Sequence, residues 1–246
     1  MPRLIEIRTS PHLKWARTVP QIMRTVVLAL LPICAFAVFQ FGLSALLLLV
    51  TTTGVAMATE YLFSRLSDRG NSLGDWSVVI TGLLLGLTLP PGFPLWMAAV
   101  AAFVGVGLGK SLFGGLGFNV MNAALVGRAF AQAAFPVAIT TWTPAFAPGR
   151  FLEFIPSTLT PPLMKPTPIT DWLAGLGIDG FTGATALALQ KFQQIEVSSW
   201  DLFLGLVPGS AGETSAALIL VCGLYLAYKR MLDWRIPVGV LAGAVL

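Results

Sequence analysis

Between Thr25 and Leu62 the sequence gives water almost nothing to hold. Thr25 to about Phe41 and Leu43 to about Leu62 are apolar runs separated by Gly42, and no charge follows Arg24 until Glu60. About 20 apolar residues carry a helix across the hydrocarbon of a bilayer, and slightly shorter runs also serve, so each run is long enough for one span. A buried core in water would need a polar shell around it. This chain is 56% hydrophobic and 11% charged, whereas a soluble domain carries about 25% charged residues. The sequence therefore reads as an all-α integral membrane protein, a polytopic helical bundle whose runs are too long for barrel strands.

The later runs are shorter and interrupted. Ser77 to Leu89 stops at Pro90-Pro91-Gly92-Phe93-Pro94, and Leu95 to Leu108 ends at Gly109-Lys110. Such pieces predict tilted or broken helices, with Gly and Pro held where protein satisfies the freed backbone. The Gly-rich turn Phe113-Gly114-Gly115-Leu116-Gly117 leads into a fifth run, 118–137, which contains Asn119, Asn122 and Arg128. Residues 138–200 are dense in proline and read as a long exposed segment, because nothing there could span. Ala216 to about Tyr228 is a further span, and 236–246 is a last apolar run. That run stops without a polar end, so the natural protein is expected to continue. These features divide the chain into a segment 1–24, a five-span bundle 25–137, an outward loop 138–213, and a return span with the start of another at 214–246.

Charge sets the orientation. Eleven of the fifteen Lys and Arg residues fall on the side of the N-terminus, and Arg150, Lys165 and Lys191 fall on the other. That bias puts residues 1–24 in the cytoplasm and the 138–213 loop outside by the positive-inside rule. The net charge of +4 thus reports topology and gives no reason to expect a nucleic-acid partner. Cys34 and Cys222 lie in apolar runs as packing thiols, and with His12 the lone histidine no metal set is expected.

Several polar residues admit two readings. Arg128 within a span costs about 2.5 kcal/mol or more unless it is paired or faces a cavity or an ion path. Lys110 reads as an anchor at a span end, with contact to a cofactor as the other possibility. Glu60 reads as interfacial. Glu213 either favours the start of the following helix through its dipole or belongs to a site. Gly105, Gly107 and Gly109 read as close helix packing, since no strand precedes them.

One short polar stretch stands out in the long loop, Asp179-Gly180-Phe181-Thr182-Gly183-Ala184-Thr185. By residue type alone it is a turn, with Thr182 as N-cap of a short helix over 184–193. Small neighbours leave the Thr185 hydroxyl uncrowded.

This stretch resembles the flavinylation motif in which FMN is joined to the last threonine by a phosphoester. The likeness runs along almost the whole chain. It includes Ser10-Pro11-His12, Thr81-Gly82-Leu83-Leu84-Leu85, Leu89-Pro90-Pro91, Gly109-Lys110 and the 113–117 turn with Asn119. It continues through Pro208-Gly209-Ser210, Gly212-Glu213-Thr214-Ser215 and Trp234-Arg235-Ile236-Pro237. The chain is similar to the D-type subunit of the Rnf ion-translocating electron-transport complex, a relative of the B-type subunit of the sodium-translocating NADH:quinone oxidoreductase. It departs from the family at Asn122-Ala123-Ala124, where Asn-Pro-Ala is usual, and at Ala186, where proline often follows the modified threonine.

The resemblance implies a redox role in the bacterial inner membrane. FMN on Thr185 would pass electrons in a complex linking NADH and ferredoxin to Na+ or H+ transport. Asp179, Thr182, Gly183 and Ala184 would form the context read by a flavin transferase, with Arg128, Lys110 and Asn119 as further candidate contacts. Riboflavin is implied as a second, non-covalent flavin. The flavin loop would be periplasmic, and the partners would be the other Rnf subunits and the lipid bilayer. The chain would be a subunit of a redox-driven translocase, with more than half of an inverted-repeat, transporter-like fold. A plain solute transporter or channel of that fold is the alternative, because interrupted spans suit its binding site as well.

Overall fold

The computed structural model describes residues 18–67, 73–166, 168–175, 185–213 and 215–245, and these contain helices and no strand. Two helices, α1 (Val19–Phe41) and α2 (Leu43–Leu66), are long and apolar enough to cross a membrane. The first begins six residues before the apolar run expected at Thr25. Thr18 and Gln21 form a reciprocal capping box, and Pro20 occupies the first turn, where no intrahelical donor is needed. Pro32 lies inside α1.

Only Gly42 separates α1 from α2. Its φ is +72°, and a Cβ there would lie 1.9 Å from the Arg150 carbonyl oxygen. That carbonyl accepts from the Leu43 N–H at 2.9 Å. The Arg150 guanidinium donates to the Phe39 carbonyl at 2.9 Å and stands over the rings of Phe39, Phe146 and Phe151 at 5.7, 5.3 and 4.8 Å.

Next come α3 (Ser77–Thr88) and α4 (Leu95–Val106), joined by the Leu89–Pro94 turn. Both pack on α2. At 12 residues each, and about 1.5 Å per residue, they measure about 18 Å. α4 continues through a π-helical turn, Gly107–Ser111, closed by Leu112 N–H to Gly107 carbonyl at 2.9 Å. The fifth run yields a shorter helix than its apolar length predicts, α5 (Ala123–Ala134). Asn122 caps it by accepting from Ala124 N–H at 3.0 Å, and Pro136 starts a separate turn, α6 (Pro136–Ile139). The polar Asn122 is thus a helix cap. α4 and α5 meet through glycines, as expected for Gly105 and Gly109, since a Cβ on either would strike Ala123 at 2.7–2.8 Å.

The proline-rich segment is less exposed than its composition predicts. Thr143, Ala147, Ile155, Ser157 and Thr158 are buried, because this stretch seals the broken helices. Ser157 Oγ donates to the Gly92 carbonyl at 2.7 Å, and Leu95 N–H donates to the Thr158 carbonyl at 3.1 Å. Ile155 N–H in turn donates to Ser44 Oγ at 2.9 Å. Then follow α7 (Ile169–Gly175), α8 (Ala186–Ala188) with a π turn Leu189–Gln193, α9 (Ser199–Leu204), α10 (Ala216–Tyr228) and α11 (Arg235–Val245). Gln40, fully buried at the end of α1, donates to the Gly205 carbonyl at 2.8 Å and the Val207 carbonyl at 3.3 Å. Its own backbone carbonyl accepts from Phe146 N–H.

The bundle therefore has two distinct ends. Gly42, the 89–94 turn, 146–160 and 205–213 share one. Val19, Asp75, Lys110 and the end of α10 share the other, where Tyr225 and Lys229 face Gln21 and Thr25.

Replacing Gly42 with alanine forces both the backbone and Arg150 to move. The expected outcome is a loss of more than about 1 kcal/mol, read as a lower melting temperature of the purified protein in detergent. Gly54→Ala, where a Cβ meets nothing within 4 Å, is the neutral control.

Candidate functional site

Charge is buried at the Lys110 end. The π turn aims Lys110 into the bundle, where it is 4% exposed, and Glu60 on α2 is 3% exposed. Lys110 Nζ donates to Glu60 Oε1 at 2.9 Å, to Glu60 Oε2 at 2.7 Å and to Ser77 Oγ at 2.6 Å. Those contacts use all three ammonium donors. Ser77 Oγ in turn donates to Asp75 Oδ1 at 2.5 Å, and the same carboxylate oxygen accepts from Ser77 N–H at 2.8 Å. Trp76, with φ +66°, makes the bend that brings Asp75 back over the start of α3. The network runs carboxylate, hydroxyl, ammonium, carboxylate.

The expectations of an interfacial Glu60 and a span-end Lys110 gave neither residue a partner, and the structure supplies one. Both are inside the protein, and each is the other's counter-charge. Clefts of about 340 and 400 Å³ open on either side, and Lys110 borders both. The second cleft holds Asn119, whose amide donates to the Met121 carbonyl at 3.1 Å. The signal that could have found the pair was Glu60 itself, an ionisable residue inside an apolar helix, which calls for a partner. That partner lies 50 residues away, so spacing could not supply it.

The second polar cluster sits at the opposite end. Arg128 on α5 donates to the Thr88 carbonyl, the last residue of α3, and lies 3.4 Å from Glu213 Oε1. Glu213 Oε2 accepts from Ser210 Oγ. The backbone of this returning segment completes the seal, Ala211 N–H to Leu89 carbonyl at 3.1 Å and Gly212 N–H to Leu87 carbonyl at 2.8 Å. Glu213 does not cap α10. Ser215 does, accepting from Leu218 N–H at 3.3 Å. Arg128 is a backbone-satisfying residue, and its ion pair is secondary, because Glu213 is 58% exposed and such pairs contribute about 0–1 kcal/mol.

Thr185 occupies a third place. It is the N-cap of α8, with Oγ accepting from Ala188 N–H at 3.3 Å. The cap expected at Thr182 therefore falls three residues later, and the helix runs over 186–193 with its second half in π form. Asp179, Thr182, Gly183 and Ala184 lie outside the described residues. Lys110, Arg128 and Thr185 bond to three separate sets of partners, so the named side chains form three local clusters.

Helices that end at depth and are closed by backbone from the same chain, beside two spans of more than 20 residues, define an all-helical membrane protein. The model of the NQR2, RnfD, RnfE family matches residues 6–246, and the chain belongs to that family. It is 37% identical over 242 residues to the D-type subunit of the proton-translocating ferredoxin:NAD(+) oxidoreductase complex of Clostridium ljungdahlii, covering 98% of this chain and 67% of that one. The D-type subunit of the Na(+)-translocating ferredoxin:NAD(+) oxidoreductase complex of Acetobacterium woodii is 36% identical over 237 residues, with coverages of 95% and 65%. The corresponding subunit of the ion-translocating oxidoreductase complex of Halorhodospira halophila is 36% identical over 256 residues, covering 96% of this chain and 68% of its own length. The chain spans about two thirds of the length of these relatives.

Removing Glu60 strands the Lys110 charge, so Glu60→Leu should cost about 3–5 kcal/mol. Lys110→Met removes the ammonium's bonds to Glu60 and Ser77 and should cost about 2 kcal/mol or more. The double variant should recover most of the loss, giving a melting temperature above either single. A double variant no more stable than the singles would show that the pair's surroundings, and not the stranded charge, set the cost. At the other end, Arg128→Met leaves the Thr88 carbonyl without its side-chain donor and should cost about 1–3 kcal/mol. Glu213→Gln should cost less than about 1 kcal/mol. The same thermal assay orders the two.

Proposed function

We propose that this protein is the flavin-carrying membrane subunit of an ion-translocating ferredoxin:NAD(+) oxidoreductase complex of the Rnf type, with FMN joined by a phosphoester to Thr185. It acts as a subunit of that complex and is not an enzyme alone. The observation that carries the reading is the 179–185 motif, ending on a threonine whose side chain starts a helix, in a chain of this family.

The residues present fit such a group. Thr185 is half-buried and extended, with φ −73° and ψ 158°, and its hydroxyl oxygen accepts from Ala188 without giving up its own proton. An ester oxygen keeps that acceptor role. The first turn of a helix presents free N–H groups and partial positive charge, which favours a phosphate beside it. Ala186 and Ala188 keep side-chain bulk away from that turn. When bound, FMN supplies the one- and two-electron chemistry that no side chain here can perform. The chain's own part is to fix the tether. Covalent attachment suits the outward, periplasmic side, where a flavin held only by contacts would be lost to the medium.

The relatives are named for different ions, a proton in one and Na+ in another, at 37% and 36% identity. The coupling ion of this chain is therefore a matter for transport measurement.

The test is flavin fluorescence of the denatured polypeptide in a gel, after co-expression with a flavin transferase. A fluorescent band that disappears in Thr185→Ala is expected, with Thr182→Ala retaining at least part of it. A dark wild-type band, with the transferase active on another substrate, would remove the assignment.

A further inference from the structure

We propose that residues 187–204 lie along the bilayer surface as a lipid-contacting strap. The consequence for the flavin, that it is held at headgroup depth, rests on the Thr185 reading above. The strap itself does not.

The segment after Thr185 is too apolar to face water freely. Leu187 is 75% exposed, Phe192 77% and Trp200 71%, and Ile195, Phe203 and Leu204 are also exposed. Between them stand Gln190, Lys191, Gln193, Gln194 and Glu196, all exposed. Large apolar side chains in such number on one short stretch mark a surface that something covers. A mixture of aromatic and aliphatic residues with Lys and Gln is what an interfacial segment carries.

The level of this segment is fixed by its end. Gln40, one residue before the end of α1, donates to the carbonyls of Gly205 and Val207, so the residue next to α9 is pinned to the last turn of a membrane span. α9 also packs against α10. Gln40 binds Phe146 through its backbone, and Phe146, Phe151 and the exposed Phe39 surround Arg150. An arginine resting on aromatic rings at the end of a span suits the membrane–water boundary, where long basic side chains snorkel and Trp and Tyr gather. Trp200 and Phe203, with ring centroids 6.1 Å apart, extend that belt from α9. The lipid interface meets these side chains at the height where the fold already holds them.

The experiment uses the full chain in its complex, reconstituted in vesicles of phosphatidylethanolamine and phosphatidylglycerol. Nitroxides are placed at Leu187→Cys, Phe192→Cys and Trp200→Cys, and at Gln193→Cys and Glu196→Cys, in a Cys34→Ala, Cys222→Ala background. Spin relaxation by oxygen, which concentrates in lipid, is compared with relaxation by a water-soluble nickel chelate. The first three sites should favour oxygen several-fold more than the last two. Dominant nickel contact at Leu187, Phe192 and Trp200 would mean the strap lies in water and would overturn the proposal. Protection from both agents would mean a protein partner covers it, and would overturn it equally. Phe192→Trp, read by extra quenching from brominated lipid over wild type, tests the same contact without label or thiol changes. The measurements repeated in Thr185→Ala should be unchanged, so loss of the flavin and loss of the lipid contact are read separately.

Discussion

A helix that ends inside a membrane leaves carbonyls with no water to meet them, and much of this fold answers that demand. α3 stops after 12 residues, and the carbonyls of Leu87, Thr88 and Leu89 are each met by a donor from elsewhere: Gly212, Arg128 and Ala211. The turn that follows is closed by Ser157 and by the Thr158 carbonyl, which takes the Leu95 N–H. An unmet backbone group in hydrocarbon costs several kcal/mol, so the broken helices and the segments that seal them exist together or not at all. The prolines of 90–94 are tolerable because residues more than 60 positions later return to cover them.

The same accounting separates the two ends of the bundle. At one end the polar groups satisfied are mainly backbone, and the two arginines there, Arg128 and Arg150, each donate to a carbonyl. At the other they are side chains, with Lys110 held between Glu60 and Ser77 at 2.6–2.9 Å. A π turn at Gly107–Ser111 turns the lysine inward, and π turns recur at functional sites because they redirect one side chain without ending a helix. A buried ion pair adds little net stability compared with apolar residues of the same shape. Its presence here, flanked by two clefts, makes it the most polar interior feature of the described residues.

The membrane class, the two long spans, the Pro90–Pro94 break and the glycine contact between α4 and α5 were all legible from apolar runs and their interruptions. The helix limits that shifted did so for local reasons: Thr18 and Pro20 draw α1 back to Val19, and Asn122 starts α5 later than apolarity alone would. The partners of charged residues were not legible. Glu60 and Lys110 are 50 residues apart, and Arg128 reaches 40 residues to Thr88; nothing in local pattern encodes such pairings. The long proline-rich segment misled for a related reason. Its backbone donors and acceptors are its contribution, and a hydropathy pattern counts only side chains. The Thr185 stretch was found by its motif, and the structure adds that the threonine begins a helix.

The bond from Gln40 to Gly205 spans 165 residues of sequence. At about 5–20 residues per second of synthesis, α1 waits roughly ten to thirty seconds in the membrane before the chain that completes its Gln40 end has been made. During that interval the Gln40 amide must be served by water or by the insertion machinery. α1 is thus made well before the backbone that completes it. Quality control acting on half-made copies would meet an exposed glutamine at the rim of an otherwise complete span.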